Sequence, residues 1–156
     1  MEVTLNWKGN MAFEGAAASG HVVRMDADMA GGGEDSAARP MEFIALGLAG
    51  CTGMDVISIL GKKHQDVKDF EIKVHVDKAD EYPKVFTKAV IEYLITGKNI
   101  DEAAVLRAIA LSADKYCPAQ AMLSKAFPIE LRYKIFEEDG RQLQKEGSYE
   151  SKLAGS

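Results

Sequence analysis

The stretch from Pro40 to Val56, which reads PMEFIALGLAGCTGMDV, decides the fold of this protein. Proline fits the first position of a helix, and an acid in the first turn, here Glu42, suits the positive end of the helix dipole. The helical pattern continues to about Lys63, so we predict a helix over residues 40–63, roughly 36 Å long. Because it is apolar over much of its circumference, we expect a central helix that is buried on several sides.

Segments on both sides of this helix carry strand and turn patterns. The glycine-rich residues 30–39 are predicted to form a flexible loop, because glycine loses much conformational freedom inside a helix or strand. Two further helices are expected, one capped by Asp101 and reaching Lys115, and one from Pro118 to Lys125. The predicted strands are residues 2–8, 11–14, 20–27, 70–77, 85–96 and 129–135.

The order of these elements favours an α+β fold, since the strands cluster in hairpins and do not alternate with helices. Residues 1–137 are predicted to form a single domain. The polar residues 138–156 are predicted to form a C-terminal tail that is frayed from residue 141. Three short strands at the N-terminus are too few to be stable alone, so a second subunit is expected to complete the core.

Composition narrows the range of functions. The chain has 156 residues and a formal net charge of −5, which argues against a general nucleic-acid binder. No basic segment followed by an apolar stretch opens the sequence, so no secretory signal is expected. Residues 43–60 are mostly apolar but contain glycines and Asp55, which makes them a poor membrane span. We therefore expect a cytoplasmic protein in a reducing compartment.

The chain has two cysteines, Cys51 and Cys117. Cys51 lies between small residues within the apolar helix, and Cys117 directly precedes the helix-opening Pro118. In a reducing compartment such residues are either small buried hydrophobes or reactive thiols. Tight helix packing is the plain alternative for Cys51, and a weak helix cap is the plain alternative for Cys117. The cysteines are 66 positions apart and no histidine lies near either of them, so a metal site is not expected. No cofactor is expected either.

Local physics favours Cys117 as the more acidic thiol. An ordinary thiol is only about 3% ionised at pH 7, and a helix N-terminus stabilises a thiolate by about 0.3–1 kcal/mol. Cys51 lies in mid-helix, one turn from the carboxylate of Asp55, and needs a cation from elsewhere to become a good nucleophile. Arg24 and Arg39 are the candidate cations. Asp55 itself, inside an apolar helix, is expected to accept hydrogen bonds or an ion pair.

The segment Pro40–Val56 resembles the central helix of the OsmC/Ohr family, and its Cys-Thr-Gly-Met-Asp sequence is most similar to the YhfA-like branch. Residues 96–98, followed by Asp101 and by Lys115-Tyr116-Cys117-Pro118, resemble the second signature of that family. The resemblance covers residues 2–137. It implies an OsmC-like α+β fold with antiparallel sheets packed around the long helix, in an intertwined homodimer with active sites at the subunit interface.

The resemblance also implies a thiol peroxidase that reduces hydroperoxides, organic ones above all. Cys51 matches the peroxidatic thiol, which becomes a sulfenic acid, and Cys117 matches the resolving thiol, which closes an intramolecular disulfide. An external dithiol, lipoylated protein in some members, would then reduce the disulfide. This implied order replaces the local preference for Cys117 as the attacking group.

The activating residues depart from the family pattern. Family members that reduce organic hydroperoxides carry a glutamate directly after the proline of the central helix, where this chain has Met41. Glu42 follows one residue later and would point about 180° away from Cys51 around the helix axis. Arg39, with Arg24 as a further candidate, and Glu42 are the predicted activating groups.

Two alternatives to the enzyme stay open at this point. One is a dimeric module that binds a small apolar ligand in a pocket lined by Met41, Phe43 and Met54, with weak or no peroxidase turnover. The other is a structural protein in which both cysteines are buried and unreactive.

Overall fold

The computed structural model describes residues 1–152, which divide into two compact units. The first unit ends at Leu46 and the second begins at Gly47. The first unit contains a three-stranded antiparallel sheet, and the second contains a four-stranded mixed sheet with two short α-helices. The predicted α+β class is therefore confirmed.

The first unit contains a three-stranded antiparallel sheet. Its strands are β1 (Val3–Gly9), β2 (Ala12–Ala17) and β3 (Val22–Met25), in the order β1-β2-β3. The turn between β1 and β2 uses Gly9 and Asn10, both with positive φ, as the Gly-Asn pair predicts.

The glycine-rich segment after β3 is organised by one buried carboxylate. Asp26, which is 3% exposed, accepts hydrogen bonds from the backbone N–H of Ala27, Glu34 and Ser36 and from the Ser36 hydroxyl. The last of these is the shortest, with 2.7 Å between the Ser36 Oγ and the Asp26 Oδ2. These four hydrogen bonds, which we call the Asp26 hub, hold the predicted loop in one conformation. The glycine-rich composition does not reveal them.

The long helix α1 spans Pro40–Lys62, one residue shorter than predicted. Leu48, Thr52, Val56 and Leu60 recur every fourth residue and form a fully buried stripe with Gly53. The expectation of burial on several sides is wrong for the single chain, because five large apolar side chains of this helix are exposed. They are Met41, Ile44, Leu46, Met54 and Ile57.

By length and composition alone, α1 is also the one helix among residues 1–152 that is apolar enough to cross a membrane. The core helix of a soluble protein meets the same criterion, and Leu48, Val56 and Leu60 of the buried stripe belong to the main core cluster.

The second unit is built on a four-stranded sheet in the order β4-β5-β6-β7. Its strands are β4 (Asp66–Lys78), β5 (Phe86–Lys98), β6 (Ile129–Phe136) and β7 (Leu143–Tyr149). β5 and β6 are parallel, whereas the other neighbours are antiparallel. The prediction of purely antiparallel sheets is wrong at this one pair, because a helical crossover connects the two strands.

The crossover has three helical pieces where two helices are predicted. α2 (Glu102–Leu111) is capped by Asp101, whose side chain accepts from the backbone N–H of Ala103. A π-helical turn over Ser112–Tyr116 follows, and α3 (Pro118–Leu123) ends two residues before the predicted Lys125.

The C-terminal segment corrects the predicted fraying. Residues 143–149 form β7, which pairs along β6. The Tyr149 hydroxyl donates a hydrogen bond of 2.6 Å to Asp114, which also accepts from the Ser151 hydroxyl and the backbone N–H of Lys152. The polar composition of β7 hid this strand, since most of its side chains are exposed. Residues 153–156 of the predicted tail lie outside the described residues, and the single domain over 1–137 stays a prediction.

Candidate functional site

The two thiols lie near each other in the second unit. Cys51 is half-buried on α1, and Cys117, which is 2% exposed, occupies the cap position directly before α3. Both are free thiols, and Cys51 is close enough to Cys117 to raise the pKa of the Cys117 thiol. The fold therefore brings together the two predicted site residues, which are 66 positions apart in the sequence.

Cys117 is held as a neutral thiol. Its pKa is raised to about 12, with burial as the main cause. The neighbouring Cys51 also raises the pKa, and the backbone N–H of Gln120, which lies 3.4 Å from the Cys117 Sγ, partly opposes the rise. The expectation that a place at a helix cap makes Cys117 an acidic thiol is therefore wrong. Its position at a helix cap is as predicted, but the desolvation of a thiolate in the core exceeds the stabilisation that a helix end supplies.

A buried hydrogen-bond network adjoins the thiols and centres on Thr52, the residue after Cys51. The Thr52 Oγ1 lies 2.6 Å from the Tyr93 hydroxyl, 2.9 Å from the Ser112 Oγ and 2.9 Å from the Gln120 Nε2. All four side chains are at most 3% exposed. Ser112 in turn donates to the carboxylate of Asp55, at 2.9 Å. The expectation that Asp55 accepts a hydrogen bond is confirmed.

The carboxylate of Asp55 sets the direction of every hydrogen bond in this network. A carboxylate can only accept hydrogen bonds, so Ser112 donates its single hydroxyl proton to Asp55. Ser112 must therefore accept the hydrogen bond that it shares with Thr52. Thr52 has then used its one proton and must accept from both Tyr93 and Gln120. Burial raises the pKa of Tyr93 above its ordinary value, which keeps the phenol protonated as a donor. Thr52 thus uses both lone pairs and its proton.

The predicted activating residues belong to the first unit, where acidic neighbours engage them. The Arg39 guanidinium lies 3.0 Å from Asp35, and 3.8 Å from both Asp28 and Glu42. The Glu42 carboxylate also accepts from the backbone N–H of Arg39, at 2.9 Å, and so caps the start of α1. The other candidate, Arg24, lies 3.7 Å from Glu14. Activation of Cys51 by these groups stays a prediction.

Sequence reasoning missed the network beneath the thiols. Thr52 and Ser112 are polar residues on apolar helical faces, which is the one local signal that marks them. Tyr93 occupies an inward position of β5 between Ile91 and Ile95, all fully buried, and reads as ordinary core. Gln120 carries no local signal, because only the packing of α3 places its side chain against Thr52.

These features define a class: a small α+β protein in which a half-buried thiol on a long helix faces a buried thiol at the cap of another. The sequence model of the family described as OsmC-like protein matches residues 32–132. The chain belongs to this family, as the residues of the long helix and the second signature predict. It is 39% identical to Protein YhfA of Escherichia coli K12 over 135 residues, which are 86% of this chain and 98% of that protein.

Solved structures share the fold. An OsmC-like protein of Mycoplasma pneumoniae superposes with a TM-score of 0.73 at 13% sequence identity, over 86% of this chain and 96% of that one. The organic hydroperoxide resistance protein OhrB of Bacillus subtilis superposes with a TM-score of 0.57 at 19% identity, over 85% and 96% of the two chains. At these identities the likeness establishes the OsmC-like fold.

Proposed function

We propose that this protein is a thiol-dependent peroxidase that reduces hydroperoxides, organic ones above all. The observation that carries the proposal is the pairing of Cys51 with Cys117 inside the second unit. Membership of a family with structural relatives named organic hydroperoxide resistance proteins supports the choice of substrate.

The two thiols have different roles because their surroundings differ. Cys51 is the more exposed, whereas Cys117 keeps its proton at neutral pH. In the first step the Cys51 thiolate attacks the terminal peroxide oxygen, the O–O bond breaks, and the leaving alkoxide takes up a proton to become the alcohol. Cys51 is then a sulfenic acid.

The second step closes a disulfide. The Cys117 sulfur attacks the Cys51 sulfur, the S–OH bond breaks, and hydroxide leaves as water with the proton that Cys117 gives up. The backbone N–H of Gln120, which already points at the Cys117 Sγ, stabilises the negative charge that develops there. An external dithiol, such as a lipoylated protein, returns the disulfide to two thiols by thiol–disulfide exchange.

A second copy of the chain completes this proposal. The exposed apolar side chains of α1, with Met54 75% exposed, suit burial against an identical helix. We propose a cytoplasmic homodimer in which Arg39 supplies the positive charge that activates Cys51 at the subunit interface, with Glu42 orienting Arg39 through their ion pair.

Intact-mass measurement tests the proposal directly. One equivalent of cumene hydroperoxide should make the wild-type chain lighter by two hydrogens, as Cys51 and Cys117 join. Cys117→Ser should instead stop at a sulfenic acid that a cyclic 1,3-diketone traps, and Cys51→Ser should stay unchanged. If the wild-type protein keeps two free thiols, the peroxidase proposal is wrong, and a co-purified apolar ligand would then favour the binding module.

A further inference from the structure

Gln120 links the two halves of the thiol pair through different atoms. Its backbone N–H donates to the Cys117 Sγ, and its side-chain Nε2 donates to the hydroxyl of Thr52, the immediate neighbour of Cys51. The side chains of Thr52 and Gln120 are 0% and 3% exposed, so water does not compete for this bond. One residue therefore connects the cap of α3 to the turn of α1 that carries the other thiol.

The Thr52 end of this link is held in place by its remaining partners. Tyr93 on β5 and Ser112 on the π-helical turn bind the same hydroxyl, and Asp55 terminates the chain of donors. Since Thr52 has no spare lone pair or proton, rotating its hydroxyl away would leave a buried partner unsatisfied. The position of Gln120 is therefore set by groups from three separate elements.

We propose that Thr52 is a positioning residue for disulfide closure: its hydroxyl holds Gln120, and through Gln120 the Cys117 sulfur, against Cys51. The proposal deepens the peroxidase function and rests on it. A disulfide requires β-carbons about 3.5–4.5 Å apart and a narrow range of torsion angles. Small displacements of a reacting group cost large factors in rate, so a fixed α1–α3 link speeds closure without touching the oxidant.

The test separates closure from the first oxidation. Thr52→Val keeps the shape of the side chain and removes the hydroxyl, whereas Thr52→Ser keeps the hydroxyl. After cumene hydroperoxide, Thr52→Val should form the Cys51 sulfenic acid at the wild-type rate and close the disulfide about ten-fold more slowly. Thr52→Ser should restore fast closure. The matched control is Tyr133→Phe, which removes a phenol on β6, the strand next to that of Tyr93. This phenol donates to Glu102 of α2, away from Thr52, so Tyr133→Phe should close normally.

A second variant approaches the same bond from the other side. Gln120→Met removes the side-chain donor but keeps the backbone N–H that points at Cys117, so it should slow closure by a similar factor. The double variant with Thr52→Val should be no slower than either single variant, because both remove one bond. If Thr52→Val does not fold, Gln120→Met decides the question alone.

A second oxidant keeps the two proposals apart. Diamide forms an adduct with one thiol, and the other thiol then displaces the hydrazine to leave the same disulfide, with no peroxide involved. If cumene hydroperoxide fails with the wild-type protein, the peroxidase proposal falls, and the closure rates with diamide still test Thr52. The positioning role is overturned if Thr52→Val or Gln120→Met closes the disulfide at the wild-type rate. It is also overturned if Thr52→Ser closes slowly, or if the effects of the two single variants multiply in the double variant.

Discussion

Cys117 lies near Cys51, and the Cys117 thiol keeps its proton at neutral pH. Burial is the main cause, and the contact with Cys51 adds to it. The pair is therefore asymmetric in burial before any oxidant arrives: Cys51 is half-buried, whereas Cys117 is enclosed. Such an asymmetry suits a pair in which one sulfur is oxidised and the other follows.

The protonation of Cys117 predicts its reactivity towards alkylating agents. With its pKa near 12, Cys117 is about 0.1% thiolate at pH 9, where an ordinary cysteine is mostly ionised. At pH 9 we expect iodoacetamide to modify Cys117 of the Cys51→Ser variant at least 100-fold more slowly in the folded protein than in the same protein unfolded in urea. The pKa is raised on folding, so the associated stability is complete below pH 8.5 or so and is lost as the pH rises towards 12. Equal rates in the folded and unfolded chain would contradict this.

The exposed apolar face of α1 predicts self-association. Met54→Glu places a charge where a second helix would pack, and we expect it to convert a dimer to a monomer at micromolar concentration. Sedimentation velocity measures the change. Thr87→Glu, an exposed site on β5, is the control and should stay dimeric. A wild-type protein that sediments as a monomer at all concentrations would refute the homodimer.

Two glycines of α1 form a matched pair for stability. A β-carbon at Gly53 would meet the Ile72 Cδ1 at 2.6 Å, whereas one at Gly61 would meet nothing within 4 Å. Alanine at either site gains about 1 kcal/mol of helix propensity. Only Gly53→Ala must displace Ile72, at a cost of about 1–3 kcal/mol. Urea unfolding should therefore show Gly61→Ala more stable than wild type, and Gly53→Ala less stable than Gly61→Ala by about that cost.

The Asp26 hub predicts a loss of stability in acid. Hydrogen bonds from Ser36 are the main cause that lowers the pKa of Asp26 to about 2. The folded carboxyl is more acidic than the unfolded one, so its contribution is present above about pH 4 and is lost as the pH falls towards 2. We expect Asp26→Asn to lower the urea midpoint at pH 7 and to differ less from wild type at pH 2.5. The control variant Asp80→Asn, at an exposed site, should have the same urea midpoint as wild type at both pH values. If Asp26→Asn lowers the urea midpoint equally at pH 7 and pH 2.5, the prediction is contradicted.

The sequence predicts helices and strands correctly where the local residue pattern agrees with the tertiary structure. The cap at Asp101, the start of α1 at Pro40 and the alternation of β4 all appear as predicted. β7 was missed because its side chains are mostly exposed and polar, so its pairing with β6 leaves no hydrophobic period to read. The parallel pairing of β5 with β6 was missed for a related reason, since strand neighbours are chosen by the crossover and not by either strand alone.

By itself the sequence determined the α+β class, the long helix and the identity of the two cysteines, because proline, caps and periodicity act over a few residues. Only the tertiary structure decided that Cys117 stays protonated, since desolvation depends on everything packed around Cys117 and outweighs its place at a helix cap. The hydrogen-bond network centred on Thr52 also forms only on folding, because residues 93, 112 and 120 reach its one buried oxygen from a strand and two helical turns. A buried polar atom must find its partners in space, and sequence distance places no limit on where they come from.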